Sequence, residues 1–343
     1  MNVKKLTLTA AVTAAFALGA AGQAGASVYA GSSLLITDLN IAVVPTDLTP
    51  GAVSVLGFSF TANAQSQLNG GPVLTDNKTC STITTLCAGP APVLDSATGG
   101  RALGDFSFTP IPTGTYANSA SQIGDAELVT AQPTDTSQIS ETEIAGTGTG
   151  AASTLVASQT QFLFNFETTE DSADLSLSFK ADPNLYVAVS TLNLLSALAQ
   201  ATLGAAFELT NTDLSVSISW SPNGATGTGQ FSDCTSPANI VVCNETFDGE
   251  NLNVTKSLPP GNNVHNGFSD NRNVAASDLG ASSFGIFLEN LPGGAYTLSL
   301  TTNTTARAEQ VVREQKVPEP GVLALMGLGL MGLFATSRRR KLG

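Results

Sequence analysis

From Ala173 to Lys180 apolar and polar residues alternate without a break. Ala173, Leu175, Leu177 and Phe179 fall on one side, Asp174, Ser176, Ser178 and Lys180 on the other. Successive side chains of a strand point to opposite faces, so this run predicts a strand with one face on a core and one in water. The same period recurs at Leu39/Ile41/Val43, Leu56/Phe58/Phe60, Phe106/Phe108, Phe162/Phe164/Phe166, Leu214/Val216/Ile218/Trp220 and Tyr296/Leu298/Leu300. Many such runs, separated by Gly, Pro and Asn turns, predict an all-β chain: antiparallel sheets in a β-sandwich or jelly roll. Leu175, Leu177, Phe179, Val216, Ile218, Trp220 and Leu298 are the expected core. Helical periodicity is weak. The stretch Leu192–Gly204 fits a short helix or a buried strand, and its alternating flanks favour strand.

Three segments lack the pattern. Residues 62–104, 130–153 and 232–278 are rich in Gly, Pro, Ser, Thr and Asn, and are expected to be surface excursions between strands. The first and third carry the four cysteines, as two close pairs: Cys80 with Cys87 and Cys234 with Cys243. Four cysteines allow three connectivities, of which local pairing is the simplest. Each bond would pin a loop with little apolar area, worth about 2–3 kcal/mol by chain entropy. Neither C-x-x-C spacing nor histidine partners suggest zinc.

Both ends read as export signals. Lys4 and Lys5 precede an Ala-rich apolar stretch that closes on Ala24-Gly25-Ala26, the pattern of a secretory signal peptide over residues 1–26. Cleavage by signal peptidase is expected after Ala26, with Ala24 and Ala30 as alternatives. At the other end Val317-Pro318-Glu319-Pro320-Gly321 precedes an uncharged run, and Arg338-Arg339-Arg340-Lys341 follows it. The two prolines keep the chain extended. Residues 321–337 as one helix would be about 25 Å long, slightly short of a ~30 Å hydrocarbon core, and the basic cluster would stop transfer on the cytoplasmic side.

The order of these parts resembles the PEP-CTERM sorting signal, a C-terminal module also found on some ice-binding proteins. The resemblance covers residues 317–341. It implies a bacterial exosortase, a membrane-embedded cysteine transpeptidase-like enzyme, as partner. It also implies transient anchoring in the inner membrane, removal of the tail near Pro318–Gly321, and delivery to the cell surface or extracellular matrix. Between the two signals we expect one ectodomain, residues 27–307, and a linker, 308–316. Within it Glu170-Asp171-Ser172-Ala173 resembles the EDSA(P) motif of a group of PEP-CTERM proteins, with Asp174 where that motif has proline.

Charge removes one class of partner. The chain has 14 Lys+Arg against 27 Asp+Glu. Losing Lys4, Lys5 and Arg338–Lys341 with the two ends leaves 8 against 27, a net −19. Nucleic acid repels such a chain.

Catalytic chemistry has little to work with. The one histidine, His265, lies in an Asn/Gly-rich stretch with no nucleophile motif near it. The acidic clusters at Glu167/Glu170/Asp171 and Asp248/Glu250 suit solvated strand ends better than a glycosidase pair. No cofactor or metal is expected. The oxygen-rich Asp248-Gly249-Glu250-Asn251 and Asp270-Asn271-Arg272-Asn273 keep a structural calcium as a secondary candidate, against ordinary Asx turns. The expectation is therefore a non-enzymatic surface or matrix protein, structural or adhesive in a biofilm or exopolysaccharide layer. A carbohydrate- or ice-binding module is the alternative and an exported hydrolase the third. Aromatics are few, and no regular T-x-T ladder is apparent in the sequence.

Overall fold

The structure is a computed structural model describing residues 26–46, 53–80, 91–98, 103, 114–123, 134–146, 150–189, 194–211, 213–214, 216–224, 241–258, 268–269 and 281–312. Among these residues there is no helix, and the strands run β1 (Ala26–Pro45), β2 (Val53–Leu68), β3 (Leu74–Cys80), β4 (Ala91–Thr98), β5 (Thr115–Ile123), β6 (Thr134–Gly146) and β7 (Gly150–Val189). They continue as β8 (Leu194–Asn211), β9 (Val216–Trp220), β10 (Val242–Asp248), β11 (Val254–Leu258), β12 (Phe268–Ser269) and β13 (Ser282–Val312). All pair antiparallel in one sheet. The expected all-β, antiparallel character holds. In place of two separate sheets, a single sheet curls into a half-barrel.

Two long strands make this possible. The first half of β7, to Thr168, pairs with β2 and with the second half of β13. Its second half, from Ala173, pairs with β1 and with the first half of β13. Each half therefore belongs to a different limb. The first limb is β3-β2-β7-β13-β8, with β9 and β11 on the far side of β8. The second is β4-β5-β6-β1-β7-β13-β10.

The corner between the limbs is written in side-chain parity. Even-numbered residues of β7 are buried from Thr154 to Thr168, and odd-numbered ones from Ala173 to Ala181. An odd step between them is the mark of an inserted residue that bends a strand. β13 makes the matching corner with two register shifts, between Leu288 and Leu291 and between Pro292 and Gly294, where Asn290 and Gly294 take positive φ of 63° and 144°. The EDSA segment, residues 170–173, sits in the β7 corner. There Thr46 donates its backbone N–H to the Ser172 carbonyl at 3.3 Å, and its hydroxyl lies 2.6 Å from that of Ser172.

The interior has two chemistries. Near the corner it is aromatic: Phe166 stacks on Tyr296 at 5.2 Å, Phe179 on Phe284 at 5.1 Å, and Trp220 lies 6.1 Å from Phe179. All seven residues expected in the core are buried. Away from the corner buried polar residues stand among apolar ones such as Val28, Ile144 and Val156, and hydroxyls of one limb bond the backbone of the other. Ser119 donates to the Ala157 carbonyl at 2.7 Å, Ser121 to Asn63 at 3.1 Å, Ser158 to Ala120 at 3.0 Å and Ser32 to Thr202 at 2.9 Å. A serine side chain has two heavy atoms, so these bonds require the limbs to be nearer than the ~10 Å of ordinary stacked sheets.

The segments expected to be irregular are corrected here. Residues 134–146 form β6, paired on both sides, and Gln138, Ser140, Glu141, Thr142 and Glu143 are buried. Residues 62–68, 74–80, 91–98, 242–248 and 254–258 are also strand. The linker expected at 308–316 is strand as far as Val312, so β13 extends past the expected ectodomain boundary at 307. Leu194–Asn211 is strand, as its flanks suggested.

Candidate functional site

Of the sorting and cleavage residues, Val317–Gly321, Arg338–Lys341 and Ala24 lie outside the described residues, as do the expected helix 321–337, His265, Asp270–Asn273, Phe106, Phe108, Cys87 and Cys234. Among the described residues no helix is long and apolar enough to cross a membrane. Ala26 opens β1. Cys80 ends β3 opposite Phe60, and Cys243, on β10 opposite Leu288, is disulfide-bonded.

Among the described residues, Asp248 with Glu245 and Glu141 with Glu143 form two carboxylate groups, from which the sequence-predicted Glu167 stands apart. Glu167 is exposed on the first limb. Asp248 is buried, and its Oδ2 accepts the backbone N–H groups of Asn223 and Gly224, each at 2.9 Å. Gly224 has φ 75° and would meet the Asn251 backbone N at 2.6 Å if it carried a Cβ, so the turn is specific to glycine. Asn251 Oδ1 accepts the Asn253 N–H at 2.7 Å, and Asn253 Nδ2 donates to the carbonyls of Pro222 and Ala205 at 3.0 Å each. The oxygen-rich Asp248–Asn251 segment thus ties turns together in Asx fashion. Among the described residues no group of three or more His, Cys, Asp or Glu could hold a metal ion. Beside it, Glu245 accepts the Trp220 indole N–H at 3.1 Å. Burial first, and then the neighbouring Asp248 charge, push the Glu245 carboxyl above its ordinary range.

The sequence did not point to the second group. Glu141 and Glu143 on β6 are fully buried, and Glu141 Oε1 accepts the Tyr29 hydroxyl at 2.6 Å.

A further arrangement is the outer face of the first limb, where the ladders align residues in rows across the strands. One row runs Thr79, Thr61, Gln161, Thr301 and Ala206 from β3 to β8. The next runs Asn77, Asn63, Gln159, Asn303 and Gly204. The third runs Thr75, Gln65, Ala157, Thr305 and Thr202 to Thr255 on β11. Each of these residues is half-buried or exposed. No charged or aromatic side chain stands in the three rows; Glu208, Glu167, Arg307 and Glu309 lie beyond them. The grid repeats at about 4.8 Å between strands and about 6.8 Å between rows, and spans about 24 Å from β3 to β11 at that strand spacing.

Local contacts shape this face. Thr297 donates to Asn165 Oδ1 at 2.8 Å, and the Thr202 and Thr255 hydroxyls are 3.1 Å apart. A Cβ on Gly204 would lie 2.1 Å from Asn303 Oδ1, so glycine lets the Asn303 amide lie across β8. As expected, Thr forms no regular T-x-T ladder, but polar residues do align. The outward positions of β13 from 297 to 305 are Thr, Ser, Thr, Asn and Thr, a series present in the sequence whose alignment with β2, β3, β7 and β8 only the register supplies.

Comparison with known proteins locates one motif. The PEP-CTERM protein-sorting motif matches residues 316–340. No curated protein matches the chain. A solved structure of infectious bursal disease virus, Gx strain, is 10% identical over 90% of this chain and 87% of that one, with a TM-score of 0.07, too low to bear on the fold.

Proposed function

We propose that this chain, an exported protein bearing a PEP-CTERM sorting motif at residues 316–340, serves as a non-enzymatic structural or adhesive component of the cell surface or extracellular matrix. The motif carries the proposal, since it marks the protein for export and for processing by exosortase. The ectodomain adds support. Asp248 holds turn amides and Glu141 holds a tyrosine hydroxyl, which are structural duties. The extended polar outer face of the first limb suits adhesion better than turnover, because catalysis needs groups converging on one reacting atom.

Fractionation tests the proposal. In a host with its exosortase gene intact, the processed chain is expected in the surface or matrix fraction. In the deletion strain it is expected at full length in the inner membrane. Equal recovery of unprocessed chain in the membranes of both strains would contradict it. Hydrolytic activity of the purified chain on surface polysaccharide, lost on substituting a described carboxylate, would favour the exported hydrolase instead.

A further inference from the structure

We infer that the outer face of the first limb, centred on the rows Thr61–Gln161–Thr301 and Asn63–Gln159–Asn303, is a docking surface for a neutral, hydroxyl-rich polysaccharide. The inference rests on the adhesive function proposed above and gives it a site and a partner chemistry.

Charge is the first argument. The chain has 27 acidic residues, yet none stands in the three central rows. Soluble surfaces ordinarily intersperse charge of both signs, which keeps them soluble. A wide sheet face free of charge in so acidic a protein fits a partner that carries none. A second copy of this chain, or an anionic polymer, would bring its own negative charge against a net charge of −13.

Side-chain chemistry is the second. Thr hydroxyls and Asn and Gln amides each offer both a donor and an acceptor, as do sugar hydroxyls. A polymer laid along either of the first two rows would meet such groups on β3, β2, β7 and β13. With no aromatic ring in the rows, binding proceeds by many weak hydrogen bonds rather than by stacking. Each bond exchanges water for sugar and contributes little alone, so affinity grows with polymer length.

The test is native affinity electrophoresis of the full chain in detergent, with hydroxyethylcellulose, dextran or polygalacturonate cast in the gel. The neutral polymers are expected to retard the chain and polygalacturonate not, with little change on adding salt. The variant T61A/Q161A/T301A is expected to lose about tenfold in affinity, or 1.4 kcal/mol, with its circular dichroism unchanged. The single Asn63→Asp, which adds charge without changing shape, is expected to weaken binding as well and serves if the triple variant fails to fold. Absence of retardation by both neutral polymers, or retardation that both variants retain, would overturn the inference. So would concentration-dependent self-association, or thermal hysteresis of freezing, that the variants abolish, since these assign the face to a second copy or to ice. Tail processing is scored separately, on chain recovered from an exosortase-bearing host, so absence of binding with processing intact removes this inference and leaves the export reading standing.

Discussion

Ser140 on β6 donates its hydroxyl to the carbonyl oxygen of Thr304 on β13, 3.0 Å away across the interior. Both residues are completely buried. The Ser140 hydroxyl is also 3.0 Å from that of Thr304, and nearby the Thr160 and Thr302 hydroxyls are 2.7 Å apart. The limbs are held close here by hydroxyls that satisfy one another and the facing backbone.

Substitutions at this contact should separate size from polarity. Ser140→Ala removes one hydrogen bond and is expected to cost about 1 kcal/mol. Ser140→Leu inserts bulk where the limbs nearly touch and is expected to cost about 3 kcal/mol or more. Urea midpoints of the two variants measure the difference. Equal midpoints would mean that the limbs are not tightly apposed.

Burial in β1 bears on the expected signal-peptide cut. Val28 and Ala30 are fully buried, and Val28 pairs with both Ile144 and Val189. Cleavage after Ala30 would strip these residues from β1, whereas cleavage after Ala24 or Ala26 spares them. N-terminal sequencing of the exported chain is expected to begin at Gly25 or Ser27. A start at Gly31 would show that this end of β1 is dispensable.

Thiol chemistry follows from export. Non-reducing peptide mapping is expected to find Cys80–Cys87 and Cys234–Cys243, in keeping with the disulfide-bonded state of Cys243. Stoichiometric labelling of any cysteine without reductant would contradict the pairing.

The acid pair at Trp220 predicts a pH dependence. Glu245 has its carboxyl pushed up on folding, by burial and then by Asp248. Between its unfolded and folded pKa the native state holds more protons than the unfolded state, so its contribution to stability falls as pH rises through that window. Glu245→Gln, which keeps an oxygen for the Trp220 N–H, is expected to melt higher than wild type above the window and with no such gain below it. Thermal melts across pH 3–8 measure this, and a gain independent of pH would exclude the linkage.

The legible parts of the fold were those whose chemistry is one-sided. Leu175, Leu177 and Phe179 alternate with polar residues because one face meets an apolar core, and Trp220 announced its strand in the same way. β6 was hidden because both of its faces are buried among polar partners. Gln138, Ser140 and Thr142 face the other limb and Glu141 faces Tyr29, so hydrophobic periodicity never arises. The limb corner was hidden too, since a parity step between Thr168 and Ala173 is visible only once neighbouring strands define the faces. For the candidate binding face, the outward series of β13 stood in the sequence, but its rows need the register of four neighbouring strands. The sorting motif was fully legible because its signal lies in residue order: Pro318 and Pro320, an apolar run, then Arg338–Lys341.

The fate of that tail is read from the intact mass of the mature protein from an exosortase-bearing host, with Glu319→Ala alongside. Insertion depends on the apolar run and the basic end, so the variant is expected to insert normally, escape processing and keep its full C-terminus in the membrane fraction. The wild type is expected to end near Pro318–Gly321 and to lack Arg338–Lys341. A mature wild-type protein that retains Arg338–Lys341 would contradict sorting by cleavage and leave a simple tail anchor.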